Sequence, residues 1–239
     1  MINIPSLKPE TRYGMPAAVQ ILFNRHYVLG YSYYFRQAKW ALEIVDPNMT
    51  DLTRADNFRP DFRIPETFRA DLVDYESSGY DRGHLVASAN QNEMVLQNSE
   101  TFLLSNMSPQ KPQFNRGIWK KLEIAVRELD AKPEIYETYV ICGPLFDFDT
   151  PVSRIGTQDG NGVSLPVPNA YFKSVLTEDK KGDINMWSFI MANEASDKSL
   201  ATFLVPTTQV ERISGIFLWE RLLGNKIEKE KNSVRPMWQ

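Results

Sequence analysis

The 239 residues contain one cysteine and two histidines. Cys142, alone, closes no disulfide within the chain and builds no cysteine zinc site. His26 and His84 stand far apart, which removes the short His-x-x-x-His helix of a zinc hydrolase. Positive charge is not in excess either: 27 Lys and Arg face 30 Asp and Glu, for a net charge of −3. Nothing global therefore advertises a polyanion as partner. Long apolar runs are missing, so no stretch reads as a membrane span and no membrane partner is expected. The opening Met1-Ile2-Asn3-Ile4-Pro5-Ser6-Leu7-Lys8-Pro9-Glu10 has no basic start followed by an apolar run, so it does not read as a secretory signal. The expected compartment is the cytoplasm, or a secreted, periplasmic or organellar one if a targeting segment once preceded the chain.

The length suits one sizeable domain with a real core, expected over residues 1–239. Residues 1–16 are Pro-rich and read as an arm. Aromatic and β-branched stretches at 17–23 and 26–34, then Trp40, Leu42 and Ile44 alternating within 39–45, predict an opening meander of three strands. Residues 46–78 carry three prolines and many charges. They read as a long loop, and Phe58, Phe62, Ile64 and Phe68 argue that it is ordered. Residues 80–87 and 101–106 read as short strands. Ile118, Leu122, Ala125, Val126 and Leu129 recur at helical spacing, so a helix is predicted over about 116–129, with Pro133 beyond its end. A buried strand follows at 139–145. Then come a second long loop at 146–167, strands at 170–176 and 185–192, a helix at 207–215 and a short apolar element at 217–223. Residues 226–239 are charged and read as a loosely held tail.

The chemistry gathers at residues 80–123. Tyr80-Asp81-Arg82-Gly83-His84-Leu85 opens the stretch and an Asn/Gln-rich connection follows. Next comes Thr101-Phe102-Leu103-Leu104-Ser105-Asn106-Met107-Ser108-Pro109-Gln110. Phe114-Asn115-Arg116-Gly117-Ile118-Trp119-Lys120-Lys121-Leu122-Glu123 closes it. A lone histidine is by default a satisfied structural residue; with a pKa near neutral it also suits a general base. Asp81-Arg82 by itself reads as a surface ion pair. Asn115 before a helix is ordinarily an N-cap, yet its amide oxygen also suits Mg²⁺, which keeps most of its waters and takes few protein ligands. Glu123 is either a solvated helix charge or the holder of one of those waters. On a regular helix the eight residues between the two rise ~12 Å, which favours the indirect role for Glu123. Residues 54–127 hold ten Lys and Arg against ten Asp and Glu. Any nucleic-acid groove must then come from how these charges are sorted in space.

In order and spacing, Tyr-Asp-Arg-Gly-His-Leu, Ser-Asn-Met-Ser-Pro-Gln and Phe-Asn-Arg-Gly-x-Trp-x-x-Leu-Glu resemble the DNA/RNA non-specific endonuclease family with its ββα-metal active site. Val140-Ile141-Cys142-Gly143-Pro144-Leu145-Phe146 and Val167-Pro168-Asn169-Ala170-Tyr171-Phe172-Lys173 look like segments of the same family. The resemblance implies an α+β fold, a central, mostly antiparallel β-sheet flanked by helices, with the ββα unit in a cleft. It implies Mg²⁺-dependent hydrolysis of DNA and RNA phosphodiester bonds with little sequence preference, with Mn²⁺ as the alternative ion. His84 matches the general base and Arg82 a phosphate-stabilising arginine. Asn106 matches an asparagine supporting the site. Asn115 matches the single direct protein ligand of the metal, and Glu123 the residue acting on it through water. Arg54 matches a second phosphate-binding arginine, with Arg59 as competitor. The expected partners are single- or double-stranded DNA and RNA. A protein inhibitor and a second copy of the chain are further candidates. Two other readings stay open: a catalytically silent nucleic-acid- or inhibitor-binding module, and a phosphodiesterase for small nucleotides.

Overall fold

The computed structural model describes residues 8–46, 52–156 and 164–238. Its strands, in chain order, are β1 (Gln20–Phe23), β2 (Tyr27–Ser32), β3 (Gln37–Ile44), β4 (Asp81–His84), β5 (Met107–Gln110) and β6 (Ile135–Leu145). They continue with β7 (Arg154–Ile155), β8 (Leu165–Pro166), β9 (Ala170–Asp179), β10 (Ile184–Ala192) and β11 (Leu204–Val205). The helices are α1 (Leu72–Tyr75), α2 (Val95–Glu100), α3 (Pro112–Phe114), α4 (Lys120–Asp130), α5 (Thr207–Ser214) and α6 (Asn225–Asn232). Seven strands form one sheet in the order β1-β2-β3-β6-β9-β10-β11, and every neighbouring pair is antiparallel. The α+β expectation and the opening meander hold.

The central strands are buried along most of their length because both faces of the sheet are covered. Successive side chains point to opposite faces of a strand. Leu29, Ala41 and Val140 accordingly join the core beneath α4, whose Leu122, Val126 and Leu129 are buried. Their neighbours Val28, Leu42 and Ile141 join a second core with Val210 of α5 and with Leu218 and Trp219. Each of the three apolar side chains of α4 contributes about 1.5–3 kcal/mol by leaving water. Together they fix the helix that carries Glu123 against the sheet.

β3 and β6 are neighbours, with Ala41 opposite Cys142 and Ile44 opposite Tyr139. Between them the chain makes one long excursion, and the motif stretch lies on it. Here β4 and β5 form a separate antiparallel pair, with His84 opposite Met107 and Asp81 opposite Gln110.

Three expectations are corrected. Residues 101–106 are not a strand: they form a turn and a 3₁₀ turn (Leu104–Asn106), and the strand begins at Met107. The Asn106 side chain takes the backbone of Val86 and Thr101 as partners, an alternative to a strand ladder. Phe62 is 77% exposed, with Arg69 over its ring, although Ile64 is buried as expected. The C-terminal stretch is not loosely held. It carries α6, and Trp238 donates to the Ala125 carbonyl of α4 at 3.0 Å. In the N-terminal arm, Tyr13 packs edge-on to Tyr139 at 4.9 Å. Within the second long loop β7 pairs with β8, while Asp159-Gly160-Asn161-Gly162 lies outside the described residues.

Candidate active site

Strand alternation puts Arg82 and His84 on the same side of β4. Gly83 faces the other way, against Gln110. A Cβ there would meet the Gln110 side chain at 2.2 Å, so the backbone can run this close only with glycine. The His84 ring stands edge-on to two phenyl rings, Phe102 at 5.0 Å and Phe58 at 5.7 Å. Its Nε2 is buried with no hydrogen-bond partner among the described residues. Burial, then the charges of Arg54 and Arg82, lower the imidazole pKa to about 3, so the ring is neutral at physiological pH.

The two arginines sit over the same phenyl rings. Arg82 is 4.1 Å above Phe58 and Arg54 is 5.0 Å above Phe102. Stacking of this kind orients a guanidinium while leaving its N–H fork free. Arg59, the competitor, donates to the Asn57 and Ser99 carbonyls at 3.1 and 2.9 Å and does not line the cleft.

Asn115 opens a π-turn (Asn115–Trp119) that runs into α4, kinked at Gly117 with φ −103° and ψ −109°. On a regular helix, at ~100° per residue, Asn115 and Glu123 would be turned ~80° apart. Gly117 is not helical, so the segment is two helical pieces joined at a kink and this count does not apply. Both line one pocket. The Asn115 Nδ2 donates to Asp81 at 2.9 Å. Since a carboxylate only accepts, this contact fixes which end of the amide is nitrogen. Oδ1 takes no hydrogen bond among the described residues. Glu123 is half-buried and likewise unbonded among them. Burial raises its pKa, opposed by Lys173 first and then by Arg127, Lys120 and Arg54.

One pocket of about 400 Å³ thus gathers His84, Arg82, Arg54, Asn115 and Glu123. Asn106 is not in it. Fully buried, it accepts from Val86 N at 3.0 Å and donates to the Val86 and Thr101 carbonyls at 3.0 and 2.9 Å. It clamps the chain as it leaves His84. Among the described residues no three His, Cys, Asp or Glu side chains form a metal cage. The donor set fits a hard cation held by one amide oxygen, with a carboxylate reached through water.

Asp81 escaped the sequence reading. It does not pair with Arg82. It takes a two-pronged contact from Arg116 at 2.8 and 2.7 Å and anchors Asn115. The unassigned Asn/Gln-rich connection is a buried buttress. Asn90 and Gln91 each donate to buried Glu43 at 3.0 Å. The Asn90 oxygen accepts from Arg127 of α4 at 2.8 Å, and Asn98 accepts from Ala55 N, next to Arg54, at 2.9 Å. A run of amides beside a catalytic motif was the available signal, since each can both donate and accept inside a protein.

Comparison with known proteins agrees with this geometry. The family model of the DNA/RNA non-specific endonucleases matches residues 8–224. The mitochondrial endonuclease G of Caenorhabditis elegans is 32% identical, over 97% of this chain and 78% of that protein. The human mitochondrial endonuclease G is 34% identical, over 89% and 74%. The mitochondrial nuclease of Saccharomyces cerevisiae is 33% identical, over 90% and 70%. In a crystal structure of an EndoG/EndoGI complex, a chain 31% identical superposes with a TM-score of 0.82, over 90% of this chain and 91% of that one. Cleft, motifs and relatives coincide along almost the whole length: the chain is an endonuclease of the DNA/RNA non-specific endonuclease family.

Proposed function

We propose that the chain cuts DNA and RNA, single- or double-stranded, in a Mg²⁺-dependent reaction with His84 as general base. The observation that carries this reading is the convergence of His84, Arg82, Arg54, Asn115 and Glu123 on one pocket. Arg54 and Arg82 bind the scissile phosphate. Its negative charge offsets two of the three influences that lower the His84 pKa, so substrate binding itself makes the imidazole a better base. His84 then takes a proton from the attacking water, and Phe58 and Phe102 hold the ring in place for that transfer. Asn115 Oδ1 would hold the cation directly and Glu123 through water; Mn²⁺ is the alternative ion. When bound, the ion supplies charge stabilisation for the phosphoryl oxygens. Contacts of this kind go to phosphate and carry little sequence information. A protein inhibitor is a further proposed partner, supported by the solved EndoG/EndoGI complex.

The test digests single- and double-stranded DNA and RNA with Mg²⁺ and with EDTA, using wild type and His84→Ala. Cleavage of all four with Mg²⁺, lost in EDTA and in the variant, is expected. Cleavage that persists in EDTA removes the metal from the reaction. Full activity of His84→Ala removes the base.

A further inference from the structure

A second hollow of about 470 Å³ opens beside the catalytic pocket, with Arg82 and Arg116 on the shared rim. Phe58, which touches His84 edge-on, lines it too. Its far wall differs from the rest of the cleft. Leu72, Tyr80 and the exposed Glu76 line it there, with Tyr75 buried behind them; Asp81, the hollow's other carboxylate, is taken up by Asn115 and Arg116.

Glu76 runs against the grain of its surroundings. Arg54 and Arg82 collect negative charge in this cleft, Arg116 being already paired with Asp81, and an exposed carboxylate repels it. The Glu76 side chain makes no ion pair or hydrogen bond among the described residues, so it is not spent on the fold. The backbone that carries it is fixed. A capping box between Asp71 and Asp74 starts α1. Ser78 Oγ donates to the Tyr75 carbonyl at 2.8 Å and accepts from Tyr80 N at 3.1 Å. Ser77 between them sits in the left-handed region at φ 54°. The Tyr75 hydroxyl, in a residue 7% exposed, has no partner among the described residues.

We propose that this hollow takes the nucleobase flanking the scissile phosphate, and that Glu76 makes it prefer a base with an exocyclic amino group over thymine or uracil. The inference rests on the nuclease reading above. The half-buried Tyr80 ring can stack a base whatever its identity. A carboxylate adds selection, because it can only accept. Cytosine, adenine and guanine each offer it an amino N–H. Thymine and uracil offer a single ring N–H between two carbonyl oxygens that repel it. In a duplex each base is held in the stack by its pairing and cannot swing into the hollow, so the selection belongs to single strands.

The experiment digests a random-sequence single-stranded DNA pool and the matching duplex pool to low conversion, then sequences the product ends. Wild type is expected to deplete thymine roughly fivefold to tenfold at one position beside the cut on single strands, the size of one charge-assisted hydrogen bond at a partly exposed site. Duplex ends should be flat. Glu76→Gln, which can donate as well as accept, should flatten the single-strand profile and raise the rate on thymine-flanked sites. Flat ends from wild type, or depletion that survives in Glu76→Gln, would overturn the assignment of Glu76 while leaving the nuclease reading intact. A chain that cuts neither pool sinks the nuclease reading and this inference with it.

Discussion

Asp81 Oδ2 accepts from Asn115 Nδ2 at 2.9 Å across a separation of thirty-four residues in the chain. The contact turns the Asn115 oxygen outward, away from the carboxylate.

Asp81→Ala should therefore behave as a weaker Asn115→Ala. The expected loss is about 10–100-fold, the usual size for an outer partner of a metal ligand. Added Mg²⁺ should restore part of it, as for Glu123→Gln, while Asn115→Ala should respond poorly. A Mg²⁺ titration of cleavage for the three variants checks the order. Identical titration curves would show that Asp81 and Asn115 are not coupled in this way.

Replacing the base separates the two histidines. His84→Ala should lose about 10²–10⁴ in rate and still retain DNA in a gel-shift assay. His26→Ala should cleave like wild type, because His26 lines a different pocket, at the β1–β2 turn. Substantial loss in His26→Ala would mean that the wrong histidine has been singled out.

Acidity offers an independent handle. His84 has a folded-state pKa of about 3 against 6.5 for a free imidazole. The sign is that of a group buried neutral: its contribution to stability is whole above pH 6.5 and is lost as pH falls toward 3. Between those values wild type should lose stability faster than His84→Gln, by up to about 1.4 kcal/mol per pH unit. Urea unfolding of both proteins across pH 4–8 reads this. In the same window kcat/KM should show no break near pH 6.5 from His84.

Asn106 should matter to the fold first. Asn106→Ala strands three buried backbone groups, and about 2–4 kcal/mol of stability should go with them. Denaturant midpoints measure the loss. A variant of unchanged stability but no activity would instead give Asn106 a direct part in the chemistry.

The sheet was legible because its strands and helices announce themselves over short windows. Trp40, Leu42 and Ile44 alternate, and Leu122, Val126 and Leu129 recur at helical spacing. The motif residues were legible as a set for the same reason. What could not be read depends on partners distant in the chain. Residues 101–106 look β-like until the Asn106 amide is known to hold the Val86 backbone. Asp81 looks like a partner for Arg82 until pairing of β4 with β5 brings Asn115 and Arg116 beside it. The kink at Gly117 leaves no periodic mark, yet it takes Asn115 off the regular path of α4. The tail looked loose because it is charged, yet some of those charges dock it: Lys231 is buried against Glu211 and the Leu218 carbonyl, while Met237 and Trp238 pack on the core.

The excursion bearing the cleft leaves the sheet at β3 and rejoins it at the adjacent strand β6. Its two ends are therefore tied by the sheet itself, whatever its length. The entropy of closing such a loop grows only logarithmically, at about 0.6 kcal/mol per doubling. Residues can thus be added to or removed from the rim of the cleft with little penalty to the core. Selection can reshape what the cleft grips while the barrier to losing the fold stays almost where it was.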